Sequence, residues 1–377
     1  MKKDVDHSQK EDKFIILAGA GSSHGLNYPT LDGLKNVMFG EDETGYFIRQ
    51  TRIELERQIR TTAVFEALVV KLKEYEKIAY EIREDQVLLE LYKPVQSIRD
   101  SSIELKFSGA LARCYAILAQ CYGPQIIDKK KGSFTALPVM LEKVAKENRN
   151  SLDIYTTNYD CSYQVMASNC ESLSFFTHIS NEDNRFTDHW YSRRRDLENT
   201  LLPEIYIHRL HGCIAWFNVH DKGGGLGYTY ELPGAGGDSD LQIDEGQLHD
   251  MCIKLVAAQL LGTNRVFSSA FDELSRQLNT INTLLVWGYS FRDLEATRLI
   301  NQALLSRKEN PFKIYYIDSV LYEKTALRNI QLTLGHAPIQ IADSFQPKRV
   351  NWIPEDGPEE LTNRIIEIAQ EANDEKG

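Results

Sequence analysis

No two of the six cysteines (Cys114, Cys121, Cys161, Cys170, Cys213 and Cys252) stand three positions apart, so the chain contains no CxxC pair. That excludes a zinc ribbon and argues against a dense disulfide framework, and buried, reduced thiols are the expectation. Long apolar runs are also missing: nothing approaches the roughly 18 residues needed to cross a bilayer. The opening segment MKKDVDHSQKEDK lacks the apolar core of a signal peptide, so a cytoplasmic location without membrane contact is expected. Positive charge is not in excess. Against 54 acidic residues there are 43 Lys and Arg, a formal net charge of -11, which makes nucleic acid an unexpected partner. No internal repeat is visible. What is present is an apolar fraction of 42% in 377 residues, enough for one large α/β domain or two smaller ones.

Residues 1–12 read as a polar, frayed tail. KFIILAGAG then has consecutive rather than alternating apolar residues, the mark of a strand covered on both faces. Strand character returns at SLDIYTTNYD, EIYIHRLHG, NTLLVWGYS and FKIYYIDS. Between about 41 and 150 the pattern changes to apolar positions at helical spacing among Glu, Lys and Arg, read as a helical insertion. Within it IELKFSGALARCYAILAQCYG should end at Gly123-Pro124. The charged faces of this block are read as solvated or as a partner surface. A further helix is expected around TLDGLKNVMF. Residues 222–238, KGGGLGYTYELPGAGGDSD, read as a mobile loop or β-turn excursion, and 346–377 as a tail with one helix, PEELTNRIIEIAQEAN. Buried strands alternating with helices predict an α/β fold with a doubly wound, mostly parallel sheet over 13–345, whose ligands bind beyond the carboxyl ends of the strands.

The unusual residues sit at those ends. FIILAGAGSS stops at Gly19 and Gly21, which suits either a tight loop or a phosphate cradle. It is not a P-loop, because no Gly-Lys-Ser/Thr follows, and Gly25 comes too late for GxGxxG. The strand IYTTNYD delivers Thr156, Thr157, Asn158 and Asp160 to the same edge. HRLHGC brings His211 and Gly212, and GYSFRD adds Gly288, Ser290 and Asp293. YYIDS ends at Asp318, placed to bind ribose hydroxyls. An amide, a carboxylate and an imidazole converging on a glycine turn favour a nucleotide site. Of Trp287 and Tyr289, one should be core and the other free to stack on adenine. Arg193–Arg195 read as a phosphate contact or a solvated surface, and His24 as a ligand contact or a helix cap.

In that order, GAG-S, TTNYD, LHG, GYS and a late acidic strand end resemble the SIR2 superfamily, over roughly residues 13–345 apart from the helical block. The resemblance implies a Rossmann-like fold that binds NAD+ and cleaves its nicotinamide bond. It implies that Gly19, Ala20, Gly21 and Ser23 line the phosphate and ribose region, with Thr157 beside them. It assigns Asn158 and Asp160 to the nicotinamide end and His211 to catalysis, gives Gly288, Ser290 and Asp293 to the cofactor, and sets Asp318 near the adenosine ribose. The paired CxxC module of the family's deacetylases is missing after LHG, and GLNYPTLDGL carries Tyr28, Pro29 and Thr30 in place of their Phe-Arg pair. The pattern is more similar to SIR2-like NADases of bacterial antiviral systems. NAD+ is therefore expected as substrate, giving nicotinamide and ADP-ribose, with no metal. Control is expected through a homo-oligomer or a HerA-like ATPase or Argonaute-type partner. A deacylase or ADP-ribosyltransferase, or a sensor that binds NAD+ uncleaved, are the alternatives.

Overall fold

The computed structural model describes residues 14–23, 26, 28, 43–58, 64–84, 102–127, 132–179, 185–186, 202–220, 226–232, 235–236, 243, 250–253, 265–307, 309, 311–318, 328–331, 345–349 and 359–374. Strand β1 (Phe14–Ala18) is buried at every residue and runs into a single helical turn, α1 (Ala20–Ser23). Three helices follow, α2 (Glu43–Gln58), α3 (Val64–Glu84) and α4 (Ser102–Tyr122), the last stopping at Gly123-Pro124 as its sequence predicts. Helix α5 (Gly132–Glu147) leads into β2 (Ser151–Thr156), and α6 (Ser162–Asn169) into β3 (Ser174–Thr177) and β4 (Glu204–Arg209). Next come β5 (Gly212–His220), β6 (Leu226–Glu231) and β7 (Met251–Ile253). Then α7 (Arg265–Leu278), β8 (Thr283–Trp287), α8 (Leu294–Ser306), β9 (Lys313–Asp318), β10 (Phe345–Arg349) and α9 (Glu359–Asp374) complete the order.

Seven strands form one sheet in the order β10-β9-β8-β1-β2-β4-β3, and every pairing in it is parallel. The chain builds outward from β1 through β2 to β4 and β3, then crosses to β8 and builds the other way through β9 and β10. The direction therefore reverses between β1 and β8, the place where open α/β sheets hold ligands. Register makes the ends level: Ala18 lies beside Thr156 and Trp287, Thr156 beside Arg209, and Trp287 beside Ile317. The loops after these strands thus emerge in one row.

Both faces are covered, which is why β1 is apolar without alternation. Phe14 and Ile16 join a core with Leu118, Leu141 and Ile368, drawn from α4, α5 and α9. Ile15 and Leu17 join a second core with Leu274 and Ile300, from α7 and α8. Helix α5 lies against β2 and β4 and is itself covered by α9, whereas α2, α3 and α4 pack on one another. A separate antiparallel sheet, β6-β5-β7, springs directly from the end of β4. The glycine-rich segment read as loop thus contains a regular strand, Leu226–Glu231, held by cross-strand pairing with Trp216 and Phe217. The helix expected around TLDGLKNVMF lies outside the described residues. Among the described residues no helix is long and apolar enough to cross a membrane.

Candidate active site

The first glycine of the turn is demanded by its neighbour. A Cβ on Gly19 would lie 2.6 Å from Gly288 O and 2.6 Å from Tyr289 Cα, so the turns after β1 and β8 touch backbone to backbone. Gly19 N donates to Trp287 O at 2.9 Å. Gly19 O in turn accepts from Ser22 N at 2.9 Å, Ser22 Oγ at 2.7 Å and Asn158 Nδ2 at 3.0 Å. The same amide nitrogen lies 3.2 Å from Ser22 Oγ and 2.8 Å from Ser23 Oγ. Because a carbonyl can only accept, Gly19 fixes which way the Asn158 amide points. Its Oδ1 is left buried with no hydrogen-bond partner among the described residues. An unmatched buried acceptor costs about 1–3 kcal/mol, and here it sits in the row of strand ends. Thr156 Oγ1 accepts from Asn158 N at 3.1 Å, and Thr157 N donates to Ala18 O at 3.1 Å.

Asp160 is buried, and its Oδ1 accepts from Ser162 N at 3.0 Å in the first turn of α6. Within electrostatic reach of it is Arg209, a guanidinium with no exposed surface at the last position of β4. Arg209 Nη1 donates to Asn158 O at 3.1 Å, Nη2 donates to Gln164 Oε1, and the group lies over the Tyr163 ring. Burial works against this charge, but Cys213, Asp160, Cys161 and Glu231 outweigh it and hold Arg209 protonated. Gln164 Nε2 and Trp216 Nε1 both donate to Glu231 Oε1, at 2.9 and 2.8 Å, tying β6 into the network. Burial opposes ionisation of Cys213, yet its hydrogen bond with Cys161 and the nearby Arg209 bring the thiol below its ordinary value. Tyr28 packs close by, its phenol pushed far up by burial and then by Asp160. The Tyr28 ring stacks on Tyr122, which meets Tyr159, which in turn lies 6.2 Å from the His211 ring.

His211 follows β4 at the same edge, and its Nε2 lies 2.6 Å from Asp293 Oδ2, both side chains being buried. Gly212 behind it has φ +77°, and a Cβ there would lie 2.0 Å from Cys252 O. Asp293 begins α8, where its Oδ1 accepts from Glu295 N and Ala296 N. Gly288 has φ +60°, and Ser290 is exposed, its carbonyl accepting from Asn329 Nδ2 at 2.8 Å.

The structure thus brings Gly19, Ser23, Asn158 and Thr157 into one cluster, turns Asp160 to the first turn of α6, and pairs His211 with Asp293 across the β4 and β8 ends. Ala20 and Gly21 lie in α1. Asp318 closes β9 at the same edge, but its side chain lies outside the described residues, as do Arg193–Arg195 and His24. Trp287 and Tyr289 depart from expectation, because both are buried, one in each core layer, and neither is open to a base. Sequence reasoning passed over Arg209, Gln164 and Glu231. The signal was an arginine closing a buried strand, EIYIHR, where a charge must be matched by buried partners.

No protein-family model matches the chain, and no curated protein does so either. Among solved structures it is similar to a Sir2 homologue in complex with NAD, with a TM-score of 0.38 and 11% identity over 96% of this chain and 91% of that one. A Sir2 homologue variant with ADP-ribose gives 0.38 and 12% over 98% and 96%. A structure of sirtuin substrate affinity gives 0.37 and 14% over 100% and 99%. Superpositions this loose carry no argument, and the α/β architecture rests on the sheet order itself.

Proposed function

We propose that the chain is an NAD+ glycohydrolase, converting NAD+ and water to nicotinamide, ADP-ribose and a proton. The observation that supports it best is the Asn158 amide: locked by the glycine turn, with a buried side-chain carbonyl oxygen that has no hydrogen-bond partner among the described residues, in the row of strand ends that includes His211. That oxygen suits the donor hydrogens of a carboxamide or of a water molecule. Nicotinamide leaves NAD+ as a neutral base from a cationic ring, so the C–N electron pair departs with little acid assistance and positive charge builds on the ribose. The work left to the protein is to orient the ribose and to take a proton from the attacking water or a ribose hydroxyl. An imidazole titrates near neutrality, and such a base contributes typically about 10² to 10⁴ fold. The motif resemblance assigns the phosphate and ribose region to the turn that begins at Gly19.

Incubation in ¹⁸O-labelled water tests the reaction class. Label at the anomeric carbon of ADP-ribose supports hydrolysis, whereas unlabelled cyclic product or transfer to an acyl-lysine peptide contradicts it. An antiviral role through NAD+ depletion, and control by self-assembly or by a HerA-like ATPase or Argonaute-type partner, belong to the same proposal and rest on the motif resemblance. A purified chain that is monomeric and fully active alone would exclude control by assembly.

A further inference from the structure

We infer that Asp293 is the positioning residue of His211, holding the imidazole in one tautomer and orientation while the same carboxylate starts α8. The two oxygens divide the roles: Oδ2 lies 2.6 Å from His211 Nε2, and Oδ1 accepts from Glu295 N at 2.8 Å and Ala296 N at 3.4 Å. The N–H groups and positive end of a 13-residue helix favour the carboxylate anion. An anion accepts only, so Nε2 carries the proton and Nδ1 keeps the lone pair that serves as base.

The loop is built to aim this group. Asp293 O accepts from Thr297 N at 3.1 Å and from Tyr289 Oη at 3.5 Å. Two residues before it, Phe291 stands at φ +57°, a strained conformation for a side chain of its size. That conformation is held by full burial against Tyr289 and Tyr316, at 5.2 and 6.1 Å between ring centres, and by Thr297 Oγ1 donating to Phe291 O at 3.3 Å. A strained turn after β8 thereby reaches across to the residue after β4. The inference rests on the hydrolase reading for its catalytic consequence. Asp293 acts there through His211 and touches no reacting atom.

Capping and positioning separate by substitution, because Asn and Ser cap helices about as well as Asp. Ser is too short to reach the ring, and the Asn amide can present its NH₂ and reverse the tautomer. The experiment compares Asp293→Asn, Asp293→Ser and Asp293→Ala by thermal midpoint, by kcat and KM for NAD+, and by the low-field proton signal of His211 Nε2–H, assigned by its loss in His211→Ala. Asp293→Asn and Asp293→Ser give up the buried ring contact but keep the helix cap, so their midpoints should fall less than that of Asp293→Ala, which gives up both. Both capping variants should lose about 10² fold or more in kcat with KM within about threefold, and lose the wild-type low-field signal. Wild-type kcat in either capping variant, or a wild-type spectrum without the low-field signal, overturns the inference. If the wild type leaves NAD+ intact, the hydrolase reading fails, and the low-field signal, recorded without substrate, still decides the pairing.

Discussion

At the scale of single residues, Asn158 commits its amide hydrogens to the glycine turn and leaves its side-chain oxygen without a partner among the described residues, so its removal should divide structure from chemistry. Gly19 O keeps Ser22 N and Ser22 Oγ as donors without it. Asn158→Ala should therefore cost only about 1 kcal/mol by chemical denaturation while NAD+ turnover falls by about 10² fold or more. Equal loss in both measurements would reduce Asn158 to a turn brace. Arg209 presents the opposite case. Arg209→Met keeps the bulk but leaves Asn158 O and Gln164 Oε1 without their donor, and Asp160 and Glu231 without their counter-charge. Removing one partner from a buried charge network costs about 3–5 kcal/mol, measurable by urea titration; a loss below about 1 kcal/mol would contradict the network's structural role.

At the scale of elements, the turns after β1 and β8 meet backbone to backbone at Gly19. A methyl at Gly19 would press on backbone atoms on the β8 side, which cannot swing aside as a side-chain tip can. Gly19→Ala should lose about 1–3 kcal/mol in a thermal melt and lose NAD+ turnover with it, and a fully stable, active variant would show that the turns can part freely. The strands that carry the site were legible because β1 and β8 are consecutive apolar runs, β2 and β4 are about half apolar, and small or polar residues follow each of them. Strand β3 has only four half-buried residues, and β10 reads FQPKR, so neither has that mark. The antiparallel sheet was hidden because β5 continues straight from LHG and β6 lies among glycines. The site residues announced themselves by type, yet the pairing of His211 with Asp293 joins positions 82 apart, and linear spacing holds no trace of that. Asp293 stood out as a strand-end acid, and only the level ends of the parallel strands reveal what it touches.

At the scale of the whole molecule, the helical block is joined to the site rather than merely attached, because Tyr122 O at the end of α4 accepts from Cys161 N at 3.1 Å and Tyr28 Oη donates to Gly123 O. The fold should also be acid-sensitive. Burial and then His208 push His178 well below its ordinary value of 6.5, so it stays neutral in the fold while the unfolded chain takes up a proton below that pH. Unfolded molecules then bind more protons, and stability falls as pH drops from 6.5 towards the folded value, by at most about 1.4 kcal/mol per pH unit for one group. For Glu273 burial acts upward, but the Arg276 hydrogen bond, His208 and Gln277 together bring it below 4.5. Its stabilisation is present above 4.5 and is lost as pH falls through the folded value. Urea midpoints should be flat from about pH 7 to 8 and decline below about 6.5, and His178→Phe should flatten the upper part of that decline; a midpoint unchanged down to about pH 5 would contradict the His178 assignment, and one unchanged on through about pH 4 to 3 the Glu273 assignment. The central claim is that these strand ends cleave NAD+. Its most direct test is to incubate the purified chain with NAD+, with and without candidate partners, and quantify nicotinamide and ADP-ribose beside Asn158→Ala and His211→Ala. Equal amounts of both products are expected from the wild type and their loss in both variants, while intact NAD+ in every condition with stoichiometric binding would contradict cleavage and leave a nucleotide sensor.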